Sequence, residues 1–123
     1  MWSEFEFNNP YEGTIPKTIC GLELPLEYIE FMKKHNGGEG DIGEHWLVIY
    51  PIEELEETNE DFKEYLSDGN IIIGSNGGGE LLGLNRNGQY FIVPEIIEED
   101  YMDVIGNSME NLPDDINRFW REL

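Results

Sequence analysis

The amino-acid sequence predicts a single α+β domain with a central, mostly antiparallel β-sheet and flanking helices. Three strand-like segments, at residues 70–75, 80–86 and 89–95, follow one another without a helix-length segment between them, which favours an antiparallel meander. Segments with the apolar spacing of helices precede and follow this meander. A chain of 123 residues is long enough to bury one core, so residues 1–123 are predicted to form one domain.

The N-terminal part of the chain divides into an extension and a helix. Residues 1–23 are predicted to be a mostly irregular extension, because two prolines and two glycines interrupt them between Pro10 and Gly21. A helix is predicted from about Pro25 to His35, since proline suits the first turn, glutamates come early and lysines come late. The following dipeptide, Asn36-Gly37, is a suitable C-terminal cap.

The middle and the C-terminus add a strand and two further helices. The segment "HWLVIYP" is predicted to be a central strand, because its β-branched and aromatic residues end at a proline without an N–H group. Residues 51–66 are predicted to form a second helix of roughly three turns with a strongly acidic outer face. After the meander, residues 95–108 are predicted to hold one short strand or turn, and a C-terminal helix carries an apolar stripe from Leu112 to Leu123.

Three consecutive glycines, Gly77, Gly78 and Gly79, join the first two strands of the meander. A P-loop needs a lysine and a serine or threonine after its glycines, and a dinucleotide site needs a helix there. This chain has Glu80 and a strand-like segment instead. The glycines are therefore predicted to form a structural turn with positive φ and not a phosphate site.

The charge balance limits the classes of partner. The chain has 27 acidic and 7 basic residues, which gives a formal net charge of -20. Such a field repels nucleic acid and anionic membranes and attracts basic proteins. The sequence therefore predicts no nucleic-acid ligand and no membrane association.

The sequence contains few potential metal ligands and no segment typical of a membrane span or a signal peptide. One cysteine, Cys20, and two histidines are too few for a zinc cluster, so no metal site is predicted. No segment is apolar for the ~20 residues that a membrane span needs, and the N-terminus lacks the features of a signal peptide. The expected compartment is the cytoplasm.

An acidic hydrolase is one alternative function, because carboxylates are abundant enough for a general acid and base. The candidates are Glu80 beside the glycines and the cluster of Glu98, Glu99 and Asp100. No spacing singles out a catalytic pair among them, so an enzyme is not predicted.

Four segments together resemble one protein family. "LPLEYIEFMKKHNGGEG", "LVIYPIEELEETNEDF", "IIIGSNGGGELLGLN" and "YFIVP" occur in the order and spacing found in the SUKH superfamily, over about residues 24–120. This superfamily contains bacterial immunity proteins of polymorphic toxin systems and fungal regulators of cell-wall synthesis. The resemblance implies an α+β, SUKH-like fold, no catalytic activity and no cofactor.

The resemblance and the charge together point to a protein partner. We expect an immunity protein that binds and neutralises a cognate toxin of nuclease or deaminase type, since a basic toxin surface complements an acidic domain. A regulatory adaptor for a cellular protein is the alternative with the same fold. The candidate contact residues come from four places in the chain. They are Glu39, Asp41 and Glu44 in a loop, Trp46 in a strand, Glu53, Glu57 and Glu60 on the acidic helix face, and Glu80 at the glycine turn.

Overall fold

The computed structural model describes residues 2–122 and confirms the α+β class. Leu123, predicted to end the C-terminal apolar stripe, lies outside the described residues. The described strands are β1 (Phe5–Phe7), β2 (Thr18–Ile19), β3 (Leu22–Glu23), β4 (Gly38–Asp41), β5 (Trp46–Ile49), β6 (Asn70–Ser75), β7 (Glu80–Asn85), β8 (Tyr90–Pro94) and β9 (Asp103–Gly106). The described α-helices are α1 (Leu26–Lys34), α2 (Leu55–Glu60) and α3 (Leu112–Arg121), with 3₁₀ turns at Ile52–Glu54 and Glu99–Tyr101.

Seven strands form one sheet in the order β1-β4-β5-β6-β7-β8-β9. Each neighbouring pair is antiparallel, and β2 and β3 form a separate antiparallel ribbon. The three strands of the predicted meander are confirmed as β6, β7 and β8. The meander extends further than predicted, because every consecutive pair of strands from β4 to β9 is adjacent in the sheet.

One side of the sheet, which we call the inner face, buries the main core. Alternate residues of β6 and β7, such as Ile71, Ile73 and Leu84, belong to this core. Tyr28 of α1 and Ile116 of α3 are buried in the same cluster, so these two helices close the inner face.

The opposite side, the outer face, is covered along only part of its width. Over the strands from β6 to β8 a second apolar cluster forms, beneath side chains from residues 62–66 and 97–102. The cluster comprises Ile72, Leu81, Phe91 and Val93. Over β1, β4 and β5 the outer side chains are mostly exposed. The outer face therefore has a covered half and an open half.

The second helix is much shorter than predicted. The sequence predicts a helix over residues 51–66, whereas α2 ends at Glu60 and turns follow. Carboxylates recur at a spacing of four along this segment, as at Glu56 and Glu60, and like charges at that spacing destabilise a helix. Buried Asn59 also serves β6, since its Nδ2 donates to the Ile72 carbonyl at 2.9 Å and its Oδ1 accepts from the Ile72 N–H at 2.7 Å.

The segment after α1 is a strand and not the predicted cap and loop. The helix ends at Lys34 with His35 as its cap, and β4 begins at Gly38. Gly38 and Gly40 have φ values of +151° and +152°, and a Cβ at Gly38 would lie 2.8 Å from the Phe5 ring. Glycine is therefore needed here so that β1 can pack closely on β4.

The first 23 residues contain more regular structure than the sequence predicts, namely three short strands. β1 forms one edge of the main sheet. In the described part of the chain, no helix is both long and apolar enough to span a membrane.

Candidate functional site

The open half of the outer face carries three carboxylates around an exposed tryptophan. Strand alternation puts Glu39 and Asp41 of β4 on the same side as Trp46 and Val48 of β5, and Asp41 pairs with Trp46. Glu6 of β1 stands opposite Glu39. We call these five residues the open acidic face; Trp46 is 45% exposed and Val48 is half-buried.

The negative charge of the open acidic face has no basic counterpart on its own strands. β1, β4 and β5 contain no lysine or arginine. Ion pairs join Lys33 to Glu30, Lys63 to Glu60 and Arg118 to Asp115, all within helices or at their ends. Directly opposed like charges such as Glu6 and Glu39 destabilise a sheet, so this arrangement does not serve stability.

The predicted loop carrying Glu39, Asp41 and Glu44 is wrong for the first two residues. Glu39 and Asp41 lie in β4 with exposed side chains, and only Glu44 lies in the turn to β5. The structure thus places Glu44 at the end of the open acidic face. Glu6 was missed because it falls in the segment predicted to be irregular, although the alternation Phe5-Glu6-Phe7 is typical of a half-buried strand.

The glycine turn is held by Asn76. Its Oδ1 accepts hydrogen bonds from the N–H groups of Gly78 at 2.8 Å and Glu80 at 3.1 Å, and its Nδ2 donates to Glu80 Oε1 at 2.7 Å. The positive φ predicted for Gly78 is wrong, because this glycine does not adopt one. Gly77 and Gly79 have the predicted positive φ, with values of +71° and +107°. Their backbone conformation, and not crowding, requires glycine, since a Cβ at either position would lie no closer than 3.8 Å to another residue.

Sequence reasoning missed Asn76, although an asparagine before a glycine turn is a typical Asx-turn signal. The network gives Glu80 a positioning role within the chain, because one of its carboxylate oxygens accepts from Asn76. Glu80 is also half-buried. Trp46 lies near the glycine turn, since its indole Cδ1 would lie 3.8 Å from a Cβ at Gly77.

The acidic helix face lies at the other end of the sheet. α2 packs beside β6 near Ile72, whereas Trp46 lies beside the opposite end of that strand. Glu53 Oε1 accepts a hydrogen bond from Asn36 at 2.6 Å, and Glu60 pairs with Lys63 at 3.0 Å. Glu57 is exposed. The predicted contact residues therefore form two separate groups, one on the open acidic face and near the glycine turn, the other on α2 and the 3₁₀ turn before it.

Three potential metal ligands approach one another near α2. Cys20, Glu56 and Glu60 place ligand atoms within 4.8 Å of one another. Burial and the nearby Glu56 and Glu60 carboxylates raise the pKa of the Cys20 thiol, whose Sγ donates to Glu56 Oε1 at 3.7 Å. A thiol that stays protonated is a poor metal ligand, and Lys63 already neutralises one carboxylate.

Two of the carboxylates named for hydrolysis, Glu80 and Glu99, have structural partners. Glu99 accepts hydrogen bonds from the Ser67 N–H and hydroxyl, at 3.1 and 2.7 Å, and so ties the 3₁₀ turn to the segment before β6. Glu80 is held by Asn76. Among the described residues, these bonds give both side chains a positioning role and bring them to no common cleft.

Similarity to known proteins was found at the level of a family. Residues 17–119 match a family model described as SMI1 / KNR4 family (SUKH-1). The match covers most of the chain and includes the ribbon of β2 and β3, α1, most of α3, and the glycine turn. A search of curated proteins found no match.

Proposed function

The chain belongs to the SMI1 / KNR4 family (SUKH-1), and we propose that it is an immunity protein that binds and neutralises a basic bacterial toxin. Members of this family are in general non-catalytic immunity or regulatory proteins. The proposed toxin is of nuclease or deaminase type, and the proposed place of binding is the cytoplasm. No nucleic acid, membrane or cofactor takes part in this function.

The open acidic face is the observation that carries the proposal. It combines three carboxylates without basic neighbours on their strands and one exposed tryptophan, whereas the outer face over β6, β7 and β8 is covered. An aromatic side chain within a charged surface is the usual composition of a protein interface with a few dominant contacts. Nuclease toxins need basic surfaces to hold their substrates, and the open acidic face is complementary to such a surface.

The energetic requirement is modest. A protective inhibitor with nanomolar affinity needs about -12 kcal/mol of binding free energy. Close charge pairs at an interface couple by roughly 1.5–7 kcal/mol each, and a central aromatic residue contributes 2 kcal/mol or more, in round terms about thirtyfold in affinity. Three carboxylates and Trp46 are thus enough to dominate the affinity of an occluding complex.

The test is co-expression with candidate toxin domains encoded next to the gene, followed by purification and affinity measurement. We expect survival of the toxin-producing cells and a complex whose affinity falls as ionic strength rises from 50 to 500 mM. The double variant Glu39→Gln/Asp41→Asn should weaken binding at least about tenfold.

A matched control removes the same number of charges from the other acidic surface. The variant Glu57→Gln/Glu64→Gln changes exposed carboxylates on α2 and in the turns after it. We expect it to change affinity less than about threefold, by a long-range field effect alone. If this variant loses protection and Glu39→Gln/Asp41→Asn retains it, the acidic helix is the contact surface instead of the open acidic face.

Family membership also favours a second candidate, a regulatory adaptor for a cellular protein. Both functions use the open acidic face to bind a basic protein, so mutagenesis alone does not separate them. Affinity capture from cells that do not encode the toxin domain separates the two functions. A stoichiometric cellular partner that is lost with Glu39→Gln/Asp41→Asn favours the adaptor, and survival that depends on the toxin domain favours the immunity protein.

A further inference from the structure

β9 forms the edge of the main sheet that lies opposite β1. Within residues 2–122 it pairs with β8 on one side, and no strand lies on its other side. No backbone hydrogen bond from a loop or turn of these residues covers that side either. The backbone groups on the free side of an edge strand can pair with a further strand.

Three exposed apolar side chains come from the segment that leaves β8 and returns as β9. Ile96, Tyr101 and Val104 are 86%, 62% and 52% exposed. Val104 pairs with Phe91 of the second apolar cluster, so its side chain lies on the outer face at the edge of the sheet. Exposed apolar side chains beside a free edge favour pairing with another chain.

The surroundings of this edge are acidic. Arg118 approaches the end of β9, where Asp115 lies against Gly106 and pairs with the guanidinium at 2.7 Å. A second copy of the chain would bring its own carboxylates to this edge, whereas a basic segment is attracted to it. Residues 95–103 contain no basic residue and five exposed carboxylates, namely Glu95, Glu98, Glu99, Asp100 and Asp103.

We propose that β9 is a strand-addition site for an extended, basic segment of a protein partner. The segment pairs its backbone with the free side of β9 and places apolar side chains beside Val104 on the outer face. Its lysine or arginine side chains point to the inner face, where Asp103 lies because it pairs with Ile92 of the main core. A register shift beside Gly106 shortens the regular part of β9, so the added strand is short.

This inference goes beyond the proposed function. β9 lies at the edge of the sheet farthest from the open acidic face, and its ligand is defined by the surroundings of β9 alone. A partner that used both surfaces would contact the two opposite ends of the sheet.

The test uses the full chain and the acetylated, amidated peptide Lys-Val-Lys-Val-Lys-Val-Lys as the probe, with amide hydrogen exchange followed by NMR. At saturation, at least one amide N–H of residues 103–106 should exchange at least about tenfold more slowly, since it becomes hydrogen-bonded. The amides of β1 are the internal reference and should keep their rates, because Phe5 and Phe7 face the core and Glu6 faces outward. The analogue with glutamate in place of lysine should not bind.

Two N-methylated isomers of the peptide separate backbone pairing from charge attraction. One carries methyl groups on its valine nitrogens and the other on its lysine nitrogens, and both keep the charges and side chains of the parent. Because the N–H groups of alternate residues point to the same edge of a strand, one isomer should bind at least about tenfold more weakly than the other. Equal affinities of the two isomers overturn the proposal.

A pair of variants tests the position of binding. Val104→Lys places a like charge beside the lysines of the peptide and removes apolar surface, so it should weaken binding roughly threefold to tenfold. Val48→Lys adds the same charge on the open acidic face and should weaken binding less than about twofold. The proposal is overturned if Val48→Lys weakens the peptide as much as Val104→Lys, or if the slowed amides lie in β1.

A second copy of the chain is the competing occupant of this edge. Slower exchange in β9 that increases with the concentration of the chain alone would show that a dimer forms there, and it would overturn the proposal. A negative result with the peptide leaves the immunity function in place, because that function is tested through Glu39 and Asp41 on the open acidic face.

Discussion

The two faces of β5 differ in what surrounds their side chains. On the inner face, Leu47 and Ile49 are 2% and 1% exposed and belong to the main core. On the outer face, Trp46 is 45% exposed among carboxylates. Because successive residues of a strand point to opposite sides, one short segment contributes to folding with one set of residues and to recognition with the other. Substitutions on the two faces should therefore have separable effects.

The largest expected effect comes from the inner face. Ile73→Ala removes a fully buried side chain and should lower the free energy of unfolding by about 2–5 kcal/mol. Val48→Ala, on the open half of the outer face, should cost about 1 kcal/mol or less, since Val48 is only half-buried. Urea denaturation followed by circular dichroism measures both. Equal losses would show that the open half is as tightly packed as the core.

The next effect concerns Asn59, whose side chain bonds the backbone of β6 at Ile72, beyond the residues that pair with β5. Asn59→Ala leaves the N–H and carbonyl of Ile72 without their partners and should cost about 2–3 kcal/mol. Asn76→Ala is the matched control near the outer surface and should cost about 1 kcal/mol, because water can replace its bonds at the exposed turn. If Asn59→Ala lowers the unfolding free energy less than Asn76→Ala does, the bonds of Asn59 to Ile72 do not stabilise the fold as proposed.

Alkaline pH should affect the inner face selectively. Burial raises the pKa of Tyr28. The pKa of Tyr90 is raised by burial and by the Glu27 carboxylate, which accepts a hydrogen bond from the Tyr90 hydroxyl at 2.8 Å. The unfolded chain loses these protons near pH 10 and the folded chain keeps them, so stability is fully present below pH 10 and falls above it. Each tyrosine should lower the unfolding free energy by at most about 1.4 kcal/mol per pH unit.

The measurement is urea denaturation between pH 8 and 11. Tyr28→Phe and Tyr90→Phe should each reduce the slope by up to one proton. Tyr65→Phe is the control, because this tyrosine is exposed and lies outside the core. A slope that is unchanged in both buried variants would be inconsistent with the raised pKa values.

The smallest effect on stability, and the clearest contrast, comes from the open acidic face. Glu6→Gln/Glu39→Gln removes two directly opposed charges and should raise the unfolding free energy by roughly 0.5 kcal/mol at low salt. The same variant should weaken partner binding, so stability and affinity move in opposite directions. A variant that loses both stability and affinity would show that these carboxylates stabilise the fold. Repeating the denaturation in 1 M NaCl should abolish the gain.

Local patterns predicted the elements whose partners are close in the chain. β6, β7 and β8 follow from strand-like segments separated by short turns, and α1 follows from its charges and its proline. The length of α2 could not be predicted in this way, because it depends on Asn59 bonding to Ile72 in a later strand. β4 was missed because its glycines are typical of turns. Their place in a strand is explained only by the close packing of β1, which the sequence does not show.

The same distinction applies to the candidate site. Asp41 and Trp46 were named from the sequence, and they lie opposite each other because a tight turn connects their strands. The approach of Trp46 to the glycine turn depends on the pairing of β5 with β6. Glu6 joins the site through a pairing between segments far apart in the chain.

The position of Glu6 also affects how the protein behaves in concentrated solution. β1 is an edge strand, and the free edge of a sheet is a template for pairing with another chain. β1 is only three residues long and carries a glutamate at its centre, so a second copy that paired there would bring more negative charge against it. The carboxylate proposed to attract a basic partner thus also protects this edge from aggregation with other copies of the chain.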